Sequence, residues 1–224
     1  MPESVYVCGD SFNTSDEDYP GLSWYDKFSA KVTGDVINLS RSCASNLLIS
    51  LQVDRAIQQQ ANFIIVGFTS VTRSEVSFRK PITDNLLDRF YNLNTHNNHL
   101  CDLTSYTIWS PKDARALTKD QQNLVKKYNK EFFDLDLAIY KDNIIIEHTL
   151  QKLVNSKILF LFDQGGFEHL SYGATNLYFI NYNQYRSEYN LWDYSPTRTH
   201  RPYFHLVDPD ITDRVADYYY SYVK

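Results

Sequence analysis

The residues best suited to chemistry end the first apolar run, Val5-Tyr6-Val7-Cys8-Gly9-Asp10-Ser11-Phe12. A glycine permits a tight exit from a strand, and a serine just beyond it stands at the C-terminal edge where open parallel sheets hold ligands. Such a serine has two uses. As a nucleophile it needs a base within hydrogen-bond reach; otherwise it is the turn or cap residue that ends the strand. Two more segments are expected on the same rim: Cys43 to Asn46 after the second predicted strand, and Thr69-Ser70 after the third. Arg73 and Glu75 read as an ion pair on the adjoining loop, or Arg73 as a holder of a substrate carboxylate or phosphate.

The elements that must position these residues follow from hydrophobic periodicity. Ser4 to Cys8 reads as a strand, Leu22 to Val32 as a helix with Trp24, Tyr25, Phe28 and Val32 at helical spacing, and Asp35 to Leu39 as a second strand. Ser45 to Gln60 predicts a helix with Leu48, Leu51 and Ile57 on one face, and Asn62 to Gly67 is a continuous apolar strand of the kind buried on both faces. This β-α-β-α-β order implies an α/β fold with a parallel sheet. Asn92 to Pro111 reads as a long loop, an insertion or a lid. Thr118 is expected to cap a helix over Lys119 to Phe133, with Gln121 completing a capping box. A second helix over Leu135 to Asn155, a fourth parallel strand over Lys157 to Phe162 and a closing helix over Asp210 to Val223 follow. Between the last two, 163–202 reads as long loops with one short strand near Asn176 to Ile180.

Bulk composition narrows the function classes. The 224 residues suit one α/β domain spanning 1–224, and 43% hydrophobic with 22% charged residues is ordinary globular composition. A net charge of −5 argues against a nucleic-acid binder, and Lys126-Lys127 and Arg198 to Arg201 read as solvated surface. Cys8, Cys43 and Cys101 form no CxxC or Cys/His ligand pattern, which predicts neither a disulfide scaffold nor a zinc site and favours a reducing compartment. No cofactor or metal is expected. His96, His99, His148, His169 and His200 lack ligand spacing and read as surface or packing residues. The N-terminal apolar run is about four residues, against roughly 7–15 in a secretory signal. No segment approaches the length of a membrane span. Eleven of the 18 tyrosines lie between Tyr172 and Tyr222, which reads either as a contact surface or as an aromatic core beneath loops.

The pattern resembles the SGNH/GDSL hydrolase family, a three-layer α/β/α fold with a flavodoxin-like parallel sheet found in esterases, lipases, acetylxylan esterases and thioesterases. Its first block is similar to Val7-Cys8-Gly9-Asp10-Ser11-Phe12, and its second to Asn38-Leu39-Ser40-Arg41-Ser42-Cys43-Ala44-Ser45-Asn46. Its third falls on Gly67-Phe68-Thr69-Ser70, and its last would place the base on His205, ahead of the final helix. The resemblance implies Ser11 as nucleophile, His205 as general base, and an oxyanion pocket from the N–H groups of Ser11 and Cys43 with the Thr69 hydroxyl. As alternatives, Thr69 and Ser70 are plain turn-formers and His205 packs in an aromatic loop beside Tyr203 and Phe204.

Three positions depart from the family. Cys43 stands where it has glycine, Thr69 where it has the oxyanion asparagine, and Pro202 where an aspartate orients the histidine; Asp208 or Asp193 would have to substitute. Losing one oxyanion donor typically slows such an enzyme ~10²–10³-fold. Phage-encoded relatives show similar drift, with Thr-Ser followed by Arg and Glu as in Thr69-Ser70-Val71-Thr72-Arg73-Ser74-Glu75. The resemblance therefore implies a serine hydrolase acting on an ester, for instance a carbohydrate O-acetyl group. The rival is a catalytically weakened SGNH-fold structural or binding protein, such as a phage virion component meeting other virion proteins or itself through the tyrosine-rich C-terminal quarter. Host cytoplasm or virion is the expected location, with neither nucleic acid nor membrane as partner. A phosphate- or nucleotide-binding protein fits less well, because no glycine-rich loop follows the first strand.

Overall fold

The computed structural model describes residues 4–16, 19–71, 73–77, 103–107, 118–163 and 209–224. In chain order these form β1 (Ser4–Cys8), a 3-10 turn (Ser11–Asn13), α1 (Trp24–Lys31), β2 (Asp35–Asn38), α2 (Asn46–Gln58), β3 (Phe63–Gly67), β4 (Arg73–Ser77) and β5 (Leu103–Thr107). Then come α3 (Lys119–Phe132), α4 (Leu135–Ser156), β6 (Leu159–Asp163) and α5 (Pro209–Val223).

The fold is α/β. Four strands form a parallel sheet in the order β2-β1-β3-β6, with Val5 opposite both Val36 and Phe63, and Val66 opposite Phe162. Because side chains alternate along a strand, each central strand feeds two cores. Val5, Val7, Phe63, Ile65 and Leu161 pack with Trp24 and Phe28 of α1 and with Val215, Ala216, Tyr219 and Val223 of α5. Tyr6, Cys8, Ile64, Val66, Phe160 and Phe162 pack with Leu48, Ile49 and Val53 of α2 and with Ile146, Leu150 and Leu153 of α4. This double burial explains why β1 and β3 read as unbroken apolar runs.

Capping side chains set the helix starts. Ser23 accepts from the Asp26 N–H and Ser45 from the Leu48 N–H, so α1 begins at Trp24 and α2 at Asn46, slightly inside the predicted limits. The predicted Thr118–Gln121 capping box is present at α3. Lys157 ends α4 in the left-handed region at φ 60°, which delays the last strand to Leu159.

The largest departure is a second sheet, in which β4 and β5 pair antiparallel with Arg73 opposite Thr107 and Ser77 opposite Leu103. Strand β5 falls inside the segment expected to be a loop. Arg-Ser-Glu-Val-Ser and Leu-Thr-Ser-Tyr-Thr lack an apolar run, and what makes them strands is their non-local pairing. The strand expected near Asn176 to Ile180 lies outside the described residues.

Candidate active site

Strand β1 has β2 on one side and β3 on the other, so successive crossovers leave it in opposite directions. At such a switch point the C-terminal strand ends diverge and open a crevice. The Gly9-Asp10-Ser11 segment leaves β1 at this point, and Gly67-Phe68-Thr69 leaves β3 beside it.

The turn bearing Ser11 is fixed from all sides. Gln52, a fully buried glutamine on α2, accepts from the Gly9 N–H through Oε1 at 2.6 Å and donates from Nε2 to the Gly9 carbonyl at 3.0 Å. Asp10 caps the turn: its Oδ1 accepts from the Phe12 N–H at 2.9 Å. The Trp24 indole N–H donates to the Phe12 carbonyl at 2.9 Å, and Asn38 Nδ2 donates to the Asn13 carbonyl at 2.8 Å. The buried Asn13 amide lies between the two strand ends. A Cβ added at Gly9 would meet Asn13 Nδ2 at 2.3 Å, and one at Gly67 would meet it at 2.2 Å. Both positions therefore require glycine for close approach.

Ser11 itself is buried in this cradle, and among the described residues nothing hydrogen-bonds its hydroxyl, although Thr14 donates to its carbonyl. Cys43 lies on the loop after β2, which is held to the β1 exit by an Arg41 N–H to Gly9 carbonyl bond of 3.1 Å. Its φ of 63° is in the left-handed region that favours glycine, so the backbone there keeps a glycine-type turn under a larger residue.

Thr69 is also on this rim, with both of its donors committed. Its hydroxyl donates to Asp10 Oδ2 at 2.7 Å, and its N–H donates to Asn46 Oδ1 at 2.9 Å. Asn46 returns a bond from Nδ2 to the Thr69 carbonyl at 3.0 Å. In this arrangement the Thr69 hydroxyl is directed at Asp10 rather than at an incoming carbonyl.

Arg73 does not pair with Glu75. Its Nη2 lies 3.3 Å from Asp10 Oδ2, and both side chains are more than nine-tenths buried. Among the described residues its Nη1 is buried with no hydrogen-bond partner. Glu75 shares the face of β4 with Arg73 but serves a different neighbourhood. Burial raises its pKa, opposed by the Ser45 hydroxyl and the Lys141 charge. Asp142 on α4 accepts from Asn46 Nδ2 at 2.6 Å. Burial pushes its pKa up to about 7; the Asn46 bond opposes this, and the Glu75 charge adds to it. Burial also raises the Cys8 thiol pKa, leaving it an inert core residue.

Ser11, Cys43 and Thr69 thus come from three strand ends on one edge. His205 lies outside the described residues, as do Asp193, Pro202, Asp208, His96, His99, His169 and His200; His148 is exposed on α4. Among the described residues no group of three or more His, Cys, Asp or Glu side chains could hold a metal ion, and no helix is long and apolar enough to cross a membrane. Residue-by-residue reading missed Gln52, Asn13 and the Asp10–Arg73 pair. The detectable signal was Gln52, a polar residue between Ile49, Val53 and Ala56 on the core side of α2.

No family profile matches this chain, and neither does any curated protein.

Proposed function

We propose that the protein is a serine hydrolase of the SGNH/GDSL type that cleaves an ester, with a carbohydrate O-acetyl group as the substrate class. One observation supports this most: Ser11 occupies a rigidly held turn at the switch point of a parallel sheet, and its hydroxyl has no hydrogen bond among the described residues. A nucleophile requires that kind of preorganisation. In this reading Ser11 Oγ attacks the carbonyl carbon and His205 takes the hydroxyl proton. The N–H groups of Ser11 and Cys43 face the oxyanion, and the left-handed turn at Cys43 is consistent with that use. Purified protein is expected to release p-nitrophenol from its acetate ester, and Ser11→Ala to abolish the release. Equal rates in the two proteins would refute the reading.

A second reading, a binding or structural protein on the same fold, is favoured by α3. This helix buries no residue, and Leu124, Tyr128 and Phe132 form a stripe along it with Tyr128 61% exposed. Solvent-facing apolar stripes of this kind serve contact surfaces. Most of the tyrosine-rich C-terminal quarter, from Tyr172 to Tyr203, lies outside the described residues. Tyr219 is fully buried against Trp24, at 4.7 Å between ring centroids, and Tyr222 is exposed.

A further inference from the structure

Attack of a serine on an ester places a negative charge on the former carbonyl oxygen, and the rate depends on fixed donors aimed at it. Thr69, the expected side-chain donor, has its hydroxyl and N–H committed to Asp10 and Asn46. The nearest alternative lies on the same carboxylate. Thr69 Oγ1 and Arg73 Nη2 converge on Asp10 Oδ2, so the guanidinium lies beside the threonine hydroxyl on one carboxylate oxygen.

Arg73 is attached to Asp10 end-on, through Nη2 at 3.3 Å, rather than by the two-pronged pairing that guanidinium and carboxylate favour. That leaves Nη1 buried and without a hydrogen-bond partner among the described residues. A cationic donor left unmatched out of water is costly, and such a group in a folded protein calls for an explanation in strain, a missing ligand or catalysis. Asp10 immediately precedes Ser11 in the chain, so the residue that holds Arg73 adjoins the one that carries the reacting hydroxyl.

We propose that Arg73 is a catalytic residue that donates from Nη1 to the oxyanion formed at Ser11, in place of the Thr69 hydroxyl. This rests on the hydrolase reading. As Ser11 Oγ bonds to the carbonyl carbon, the carbonyl electron pair moves onto oxygen and the hydroxyl proton passes to His205. The single Nη2 contact lets the guanidinium pivot to bring Nη1 to that oxygen. Collapse of the adduct breaks the bond to the alcohol, which takes the proton from His205.

The test is the rate at which an alkyl fluorophosphonate labels Ser11, because its phosphoryl oxygen develops the same charge. Arg73→Met should label ~10²-fold more slowly or worse. Removing the cation alone leaves Asp10 buried and unpaired and threatens the fold, so Asp10→Asn and the double variant Asp10→Asn/Arg73→Met are compared in parallel. The double variant should label at least tenfold more slowly than Asp10→Asn, with both showing the native circular dichroism spectrum. Equal labelling of those two folded variants overturns the role of Arg73 and leaves the hydrolase reading standing. A parent protein whose Ser11 is not labelled overturns the hydrolase reading and the inference with it.

Discussion

Two carboxylates, the buried Asp10 and the half-buried Asp142, sit on the same rim in opposite electrostatic settings. Asp10 is matched: one oxygen takes a backbone N–H, the other takes the Thr69 hydroxyl and the Arg73 cation. Asp142 is mismatched: it has the Asn46 amide, but burial pushes its pKa up to about 7, and the nearby charge of Glu75, of its own sign, adds to this. Asn46 joins the two settings, binding Asp142 with one end and the Thr69 backbone with both. The difference lies in the partners that the fold brings to each carboxylate. Asp10 has a cation and three donors around it, whereas for Asp142 burial, helped by the like charge of Glu75, outweighs the single Asn46 bond.

The comparison breaks most sharply if Asp10 loses its cation. Arg73→Met leaves the Asp10 carboxylate buried beside Thr69 without its cation, and removing one partner of such a pair typically costs ~3–5 kcal/mol. Urea unfolding at pH 7 should show a loss of that size, largely recovered in Asp10→Asn/Arg73→Met. A loss of under about 1 kcal/mol would mean that Asp10 is no better matched than a surface pair.

The next effect concerns Asp142. Its folded-state pKa is raised, so its contribution to stability is fully present below the ordinary carboxylate range and is lost as pH rises through about 7. The parent should therefore unfold more easily at pH 8 than at pH 5 on account of this group, with a slope of at most ~1.4 kcal/mol per pH unit. Asp142→Asn keeps an oxygen for Asn46 to bond and should flatten that slope. An unchanged pH profile in Asp142→Asn would show that Asp142 holds its proton no more tightly in the folded chain than in the unfolded one.

The smallest effect belongs to Thr69→Val. It deletes one donor to Asp10 while Arg73 and the Phe12 N–H remain, so the expected loss is ~1–1.5 kcal/mol by thermal unfolding. A loss as large as that of Arg73→Met would mean that the hydroxyl, not the guanidinium, keeps Asp10 satisfied.

The sequence revealed those parts of the fold that arise locally. Continuous apolar runs announce strands buried on both faces, as at β1 and β3, and the Thr118 and Gln121 pair announces its helix within four positions. The Ser11 turn was legible for the same reason, because strand, glycine and serine are contiguous. Proximity along a strand favours Glu75 as the ion-pair partner of Arg73. The real partner, Asp10, stands two residues beyond the end of β1 and is brought close only when β3 pairs with that strand. The β4–β5 hairpin was hidden because its strands are polar and their pairing spans a long stretch of chain. Gln52 looks like one more polar position in a helix until α2 is laid on the sheet and its amide meets Gly9.

The Asn13 amide held between Gly9 and Gly67 has a consequence for how this protein can change over generations. The two glycines and the asparagine share one small volume, so none of the three can be exchanged for a bulkier residue while the others stay as they are. In lineages descending from this chain, the three sites should drift together or not at all.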